Sequence, residues 1–319
     1  MTTDDNTTAT DGSGHGTTER EYITSPPETA PTVEYDLLTR LRELFPTPAR
    51  AAKYILAISL AILWILPFVG LLMASFRPLG EIIDGWWHLQ GATFTLENYR
   101  DAMEFQTTPM GRAMVSTLIV TIPSVLVVTL LGAMAAYPFA RFDFPLKKTL
   151  FFFIIMVMAA PPELVAMGNY NTLQESGLFD TYIGLILVHI GWGMGWVVLF
   201  LRNYLLTIPE ELEEAARIDG ASRYQIFRTI ILPLAGPALV SVAVIQFTWV
   251  WNAFFFPLVF LRSADLYVAP QVLPLMKGRL QINWGLVAAG SVMTMAVPVL
   301  LFAVLQRYYK RGMVAAVAD

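Results

Sequence analysis

Six apolar runs, each near the length that a helix needs to cross a bilayer, constrain the fold of this chain more than any other feature. A helix crosses the hydrocarbon core, about 30 Å thick, with about 20 residues. The runs cover residues 54–76, 113–139, 149–167, 181–201, 237–261 and 284–305. Because backbone polar groups in hydrocarbon must be paired within their own segment, the runs predict an all-α, polytopic membrane protein with six transmembrane helices. Pro161 and Pro162 interrupt the third run, so we expect a kink there.

The composition points to lipid as the main solvent. Only 14% of the residues are charged and 55% are hydrophobic, whereas soluble domains carry about 25% charged residues. The chain has no cysteine, which excludes disulfides, thiolate metal sites and cysteine nucleophiles. We expect membrane lipid as a partner and no nucleic acid.

The first fifty residues differ in kind from the rest. Up to residue 36 they contain eight acidic residues and one basic residue, Arg20. Such a polar stretch cannot bury enough apolar surface to offset its ordering entropy, so residues 1–50 are predicted to be a disordered acidic tail. Residues 34–45, "EYDLLTRLRELF", form either a short amphipathic helix on the membrane surface or a frayed extension of this tail. Residues 51–319 are predicted to form the membrane domain.

Basic residues predict the orientation of the spans. With both termini in the cytoplasm, fifteen of the 21 Lys and Arg residues lie on the inner side. Cytoplasmic loops are enriched in Lys and Arg, so the sequence favours a multi-pass protein of the cell membrane with cytoplasmic N- and C-termini. The polar segment between the fourth and fifth runs is then cytoplasmic.

That segment, residues 207–233, reads "TIPEELEEAARIDGASRYQIFRTIILP". Thr207 and Glu210 have the spacing of a helix-capping box, and Ser222 and Gln225 repeat it. Gly220 between them is suited to the left-handed geometry that ends a helix. The pattern predicts a helix, a glycine turn and a second helix that Pro233 ends.

The same residues resemble the "EAA" loop of binding-protein-dependent ABC importer permeases. Glu214-Ala215-Ala216, Gly220 and the Ile230-x-Leu232-Pro233 ending stand at the spacing of that motif. The resemblance extends over most of the chain after the tail, and it is strongest for carbohydrate permeases similar to the smaller permease of the maltose importer. It implies the fold of type I importers, with cytoplasmic coupling helices between spans four and five.

The resemblance also implies partners and a division of labour. Two cytoplasmic ABC ATPase subunits would bind ATP and Mg²⁺, so this chain would carry no cofactor and no catalytic site of its own. A second permease subunit, most often a different chain, and an extracytoplasmic substrate-binding protein would complete the importer. The residues implied to couple the permease to the ATPase are Glu214, Ala215, Ala216, Asp219, Gly220, Leu232 and Pro233.

Polar residues at membrane depth are candidates for the substrate pathway because they are costly there. Gln246, Trp249 and Asn252 are spaced by three in the fifth run. Amide groups pair with sugar hydroxyls, and an indole covers the apolar face of a sugar ring. His189, in the fourth run, either packs in the core or contacts substrate, and Asn169 lies at the outer end of the third run.

Three other functional classes remain as alternatives. The absence of a GxxxxGK[ST] sequence argues against ATP binding by this chain, and no cluster of residues suggests a metal site or a membrane-embedded enzyme. Inverted repeats or several intramembrane carboxylates would favour a secondary transporter or channel, and neither is evident. Within the same family, glycerol phosphate, a polyamine or another small solute is the alternative to a sugar.

Overall fold

The computed structural model describes residues 48–278 and 282–317, with side chains for residues 51–278 and 282–305. The chain divides into two compact units, Met1–Ala61 and Ile62–Asp319. The described residues contain helices and no strand, as the sequence predicts. Residues 1–47, which include most of the predicted acidic tail and the amphipathic segment at residues 34–45, lie outside the described residues, whereas residues 48–50 of the predicted tail belong to the first helix. In chain order the helices are α1 (Pro48–Ser75), α2 (Leu79–Ile83), α3 (Glu97–Met103), α4 (Met110–Arg141), α5 (Lys147–Met158), α6 (Pro162–Glu175), α7 (Tyr182–Leu205), α8 (Glu211–Ile218), α9 (Arg223–Leu234), α10 (Gly236–Trp251), α11 (Phe255–Phe260), α12 (Ala269–Leu275) and α13 (Trp284–Val317).

Four helices in the described residues are long and apolar enough to cross a membrane by themselves. They cover Ala51–Ser75, Met110–Arg141, Tyr182–Leu205 and Trp284–Leu305, and two bent helix pairs raise the number to six when each pair counts as one span. The four single helices and the two bent pairs each overlap one of the six predicted runs. The fold class predicted from the apolar runs is therefore confirmed.

The third predicted run is not one straight helix. α5 has 12 residues, about 18 Å at 1.5 Å per residue, which is too short to cross the bilayer alone. After α5 the chain turns by 98° into α6, which begins at Pro162. Pro161 and Pro162 cannot donate the backbone hydrogen bonds that a continuous helix would need there. The predicted kink is confirmed, and it is close to a right angle.

The fifth predicted run, 237–261, is longer than the helix that the structure shows. α10 ends at Trp251, and a separate short helix, α11, follows from Phe255. Pro257 explains the break, because in a continuous helix its ring would clash with the carbonyl of Ala253. Asn252 therefore lies just past the end of α10 and not inside a span.

The membrane core is built mainly on α4 and α7, and α10 packs against both. Small and branched side chains fill the space between them: Val128, Ala136 and Ala140 on α4, Val197 and Leu201 on α7, and Val242 on α10. In lipid, helices associate through close van der Waals packing, because the hydrophobic effect does not drive them together there. This core continues into α9, whose Ile226 and Ile231 are buried in the same cluster.

Candidate functional site

The polar segment between α7 and α10 forms a helix, a glycine turn and a second helix, as the sequence predicts. Gly220 follows α8 with φ of +85°, a backbone angle that a side chain disfavours. The N–H of Gly220 donates to the carbonyl of Arg217 at 3.0 Å, and that of Ala221 donates to the carbonyl of Ala216 at 2.9 Å. These bonds close the last turn of α8 and fix the direction in which the chain leaves it.

The predicted capping box at the start of α9 is confirmed. The N–H of Gln225 donates to Ser222 Oγ at 3.3 Å, and the N–H of Ser222 donates to Gln225 Oε1 at 2.8 Å. Two amides that the helix end would leave unpaired are satisfied reciprocally. The turn is therefore held from both sides.

The predicted capping box at Thr207 is wrong. The Thr207 hydroxyl donates to the carbonyl of Tyr204 at 2.7 Å, in the last turn of α7. The carbonyls at the end of α7 have no partner within the helix, and a nearby hydroxyl satisfies one of them. Glu210 instead precedes α8, without a side-chain cap.

Pro233 does not end the second helix. α9 continues through Pro233 to Leu234, and the chain then bends by 70° into α10. A π-helical turn at Phe227–Ile231 stands just before the proline. Such a turn shifts the hydrogen-bond pattern by one residue, which lets the helix accommodate a ring that lacks an N–H. Leu232 packs against the core beside the exposed Pro233.

One face of α8 is free. Glu214, Ala215 and Asp219 are exposed, whereas Ala216 is half-buried against the core. The two alanines of the motif therefore lie on different sides of α8, Ala215 outside and Ala216 inside. Gly220, at the end of the helix, is exposed.

Large apolar side chains on α8 and α9 are exposed as well. Ile218 is 87% exposed, Tyr224 on α9 is 67% exposed and Leu212 is 45% exposed. The sequence reasoning did not single out Ile218 or Tyr224. Their position beside a glycine turn in a polar segment was the available signal, since apolar groups in such a place suit a protein contact.

The inner side of α8 carries a buried acid that sequence reasoning also missed. Glu213 accepts a hydrogen bond from Tyr137 Oη at 2.8 Å and another from Arg141 Nε at 2.6 Å. The side chains of Arg141 and Glu213 are only 5% and 1% exposed. Arg141 Nη2 also donates to the carbonyl of Ile208 at 2.6 Å. The short helix α8 is thus joined to the end of α4 by a buried ion pair.

A second group of functional candidates lies at membrane depth between α7 and α10. Gln246 is buried, and its Oε1 accepts a hydrogen bond from Trp196 Nε1 at 2.7 Å. The rings of Trp196 and Trp249 lie 4.9 Å apart, and Trp249 is 54% exposed. Gly193 makes room for the amide, since a Cβ there would come to 2.4 Å from Gln246 Nε2. We call Trp196, Gln246 and Trp249 the aromatic–amide cluster.

The other predicted pathway residues lie apart from this cluster. Asn252 is exposed beyond the end of α10, and its Nδ2 donates to the carbonyl of Thr248 at 2.8 Å. Asn169 lies on α6 and donates to the carbonyl of Val165 at 2.8 Å.

His189 is 4% exposed and packs edge-on against Phe256, with ring centroids 5.6 Å apart. Its Nε2 has no hydrogen-bond partner among the described residues. This enclosure favours the packing role over substrate contact.

Within residues 48–278 and 282–317, no group of three or more His, Asp or Glu side chains is placed to hold a metal ion.

Comparison with known families identifies the class of protein. Residues 115–314 match the family described as "Binding-protein-dependent transport system inner membrane component". The match covers α4 to α13, including the α8–α9 segment and the aromatic–amide cluster. The chain belongs to this family and is a membrane permease subunit of an ABC importer.

Relatives over most of the chain agree. A probable ABC transporter permease of Pyrococcus horikoshii is 47% identical, over 82% of this chain and 94% of the relative. An osmoprotective compounds uptake permease of Synechocystis is 35% identical, over 82% of this chain and 90% of the relative. An alpha-glucoside transport system permease of Rhizobium meliloti is also 35% identical, over 70% of this chain and 60% of the relative.

A solved structure shares the fold. It is a bacterial ABC transporter involved in the import of the acidic polysaccharide alginate, with a TM-score of 0.69 over 83% of this chain and 99% of the other. The sequence identity is 20%, so this likeness concerns the fold alone.

Proposed function

We propose that this permease forms part of the path by which a sugar or oligosaccharide enters the cell. An extracytoplasmic binding protein delivers the solute, and ATP hydrolysis in separate subunits drives the transfer. The relative named for alpha-glucoside transport supports the substrate class. The family description itself supports dependence on a binding protein.

The observation that carries the proposed substrate class is the aromatic–amide cluster. Trp249 offers an exposed indole face, and Trp196 packs against it at 4.9 Å. The Gln246 amide behind them fixes the Trp196 ring through a 2.7 Å hydrogen bond. A flat apolar ring beside polar groups suits a sugar, whose C–H face and hydroxyl edge need different partners.

The α8–α9 segment is the proposed contact with the ATPase subunits. Glu214, Ala215 and Asp219 stand on its free face, and Gly220 sets the turn that presents them. Ala216 packs inward, while Leu232 and Pro233 connect the segment back to the membrane core. In this proposal the partner ATPase subunits bind ATP and Mg²⁺, and this chain contributes only the α8–α9 segment that they contact.

A second permease subunit is the proposed membrane partner, and we favour a different chain over a second copy. An apolar groove of about 680 Å³ lies between α4, α10 and α13. Its lining suits contact with a helix of a second subunit within the membrane. The positive-inside count supports N- and C-termini in the cytoplasm, which places the α8–α9 segment on the ATPase side.

The test is ATP hydrolysis by the whole importer in lipid, with its binding protein and a panel of neutral sugars. We expect maltose, trehalose or a longer α-glucoside to raise the rate, and Trp249→Ala to lower it while Trp249→Phe retains most of it. Stimulation by glycerol phosphate or a polyamine and by none of the sugars would contradict the proposed substrate class.

An osmoprotective compound is the second candidate, because a relative of 35% identity is named for the uptake of such compounds. The three side chains of the aromatic–amide cluster carry no formal charge, which favours a neutral solute over a phosphate ester or a polyamine. Including glycine betaine and a neutral sugar-like osmolyte in the same panel separates the two candidates.

A further inference from the structure

The buried ion pair between Glu213 and Arg141 joins two parts of the molecule that have different tasks. Glu213 belongs to α8, and Arg141 is the last residue of α4. Both carboxylate oxygens are used, since Oε2 accepts from Tyr137 at 2.8 Å and Oε1 accepts from Arg141 Nε at 2.6 Å. Charge-assisted bonds of this length are among the strongest side-chain contacts and are directional.

This joint is the main attachment of α8. Apart from Glu213 and the half-buried Ala216, the residues of α8 are exposed. Burial of two charges is costly unless geometry and hydrogen bonding are good, and removing one partner leaves the other charge uncompensated. The Arg141 guanidinium also donates to the carbonyl of Ile208, which precedes α8 in the chain, and this bond fixes the orientation of the guanidinium.

α4 continues from this joint to the outer side of the membrane domain. It has 32 residues, about 48 Å at 1.5 Å per residue. Near its outer end, Thr117 Oγ1 accepts the N–H of Ala269 at 2.9 Å, which ties α12 to α4. Arg112 forms a further ion pair with Asp265 at 2.8 Å. One helix therefore contacts both α8 and the outer α12 segment.

We propose that Glu213, Arg141 and Tyr137 are positioning residues that transmit movement of α8 to α4, and through α4 to the outer segment. They are distinct from the docking face of α8, because Glu213 points inward and is buried. The inference rests on the proposed coupling of this segment to an ATPase. Loss of the contacts among Glu213, Arg141 and Tyr137 then leaves ATP hydrolysis intact, but hydrolysis no longer moves the outer segment.

The test measures the outer movement by electron spin resonance in the whole importer. The chain has no cysteine, so labels are introduced only at Glu175→Cys and Leu275→Cys, on the outer ends of α6 and α12, in combination with cysteine-free partner subunits. ATP with vanadate traps the hydrolytic state without requiring a known solute. The distance between the labels is compared in nucleotide-free and trapped complexes.

In the otherwise unchanged chain we expect trapping to shift this distance. With Glu213→Gln the trapped nucleotide is retained and the shift is lost, because the neutral amide leaves Arg141 only the exposed carboxylate of Glu210, 3.5 Å from its Nη1, as a counter-ion. Tyr137→Phe removes a single hydrogen bond and keeps the ring, so the shift is reduced. Glu211→Gln, an exposed glutamate two residues away on α8, serves as the matched control and behaves as the unchanged chain.

Two results would overturn the proposal. A normal shift with both Glu213→Gln and Tyr137→Phe would show that the joint transmits nothing. Loss of nucleotide trapping in Tyr137→Phe, which keeps the packing, would make the cluster part of ATPase docking. Failure of the unchanged chain to form an ATP-hydrolysing complex is a separate outcome, and it would contradict the proposed function itself.

Discussion

Substitutions at Gly220 separate backbone strain from contact with the ATPase. The residue has φ of +85°, and a Cβ added there would meet no atom within 4 Å. Any cost of a side chain in this chain alone is therefore conformational. For Ala, the left-handed region costs about 1–2 kcal/mol, which lowers the population of the native turn by about fivefold to thirtyfold. Asn is tolerated better in this region, so its cost is smaller.

The assay is binding-protein-stimulated ATP hydrolysis and solute uptake by the whole importer. Gly220→Ala is expected to lower the coupling of uptake to hydrolysis clearly, and Gly220→Asn to lower it less. Gly220→Asp has the shape of Asn but adds a charge, so a larger loss with Asp than with Asn measures the electrostatic cost at the docking face. A loss for Asn as large as or larger than that for Ala would refute the strain argument, and a larger one indicates a clash with the partner subunit.

Three further predictions follow from the described contacts. Ser222→Ala removes the cap of α9 and should destabilise that helix by about 1 kcal/mol. Hydrogen exchange at the Gln225 amide should then rise about fivefold, and an unchanged exchange rate would contradict the role of Ser222 as the cap. Asp180, between α6 and α7, accepts hydrogen bonds from the N–H groups of Arg262 and Ser263 and from the Ser263 hydroxyl, which tether the loop after α11. Partial burial alone would raise the pKa of Asp180, but these hydrogen bonds outweigh it and hold the pKa below the usual value of an aspartate. This loop tether is therefore fully present at neutral pH and weakens only as the pH falls through the lowered pKa. Asp180→Asn should lower the protection of the amides of residues 262–263 against exchange at pH 7, whereas taking the unchanged chain to about pH 5 should leave that protection intact. Gly193→Ala should displace Gln246 from Trp196 and quench or shift indole fluorescence, whereas Gly168→Ala, with nothing within 4 Å, should not.

Local sequence signals predicted the elements well where neighbours in the chain decide the structure. Apolar length predicted the spans, Pro161 and Pro162 predicted the break, and Ser222 with Gln225 predicted the cap of α9. Each of these depends on bonds made within a few residues. The predicted cap at Thr207 was wrong because two helix ends compete for one hydroxyl, and the end of α7 is nearer.

Long-range pairings could not be predicted in this way. Glu213 was one acid among several in a polar helix, and its burial depends on Arg141, 72 residues away. Gln246 was chosen for its depth, but its partner Trp196 lies 50 residues away on another helix. A periodic pattern shows which residues share a face, and it does not show which element covers that face.

Uptake of a radiolabelled α-glucoside by proteoliposomes that contain the whole importer tests the account most directly. With the binding protein outside and ATP inside, the account predicts accumulation of the sugar that requires both. It also predicts that Gly220→Asp abolishes accumulation. Accumulation that needs no ATP and follows an ion gradient would contradict the account and would favour a secondary transporter.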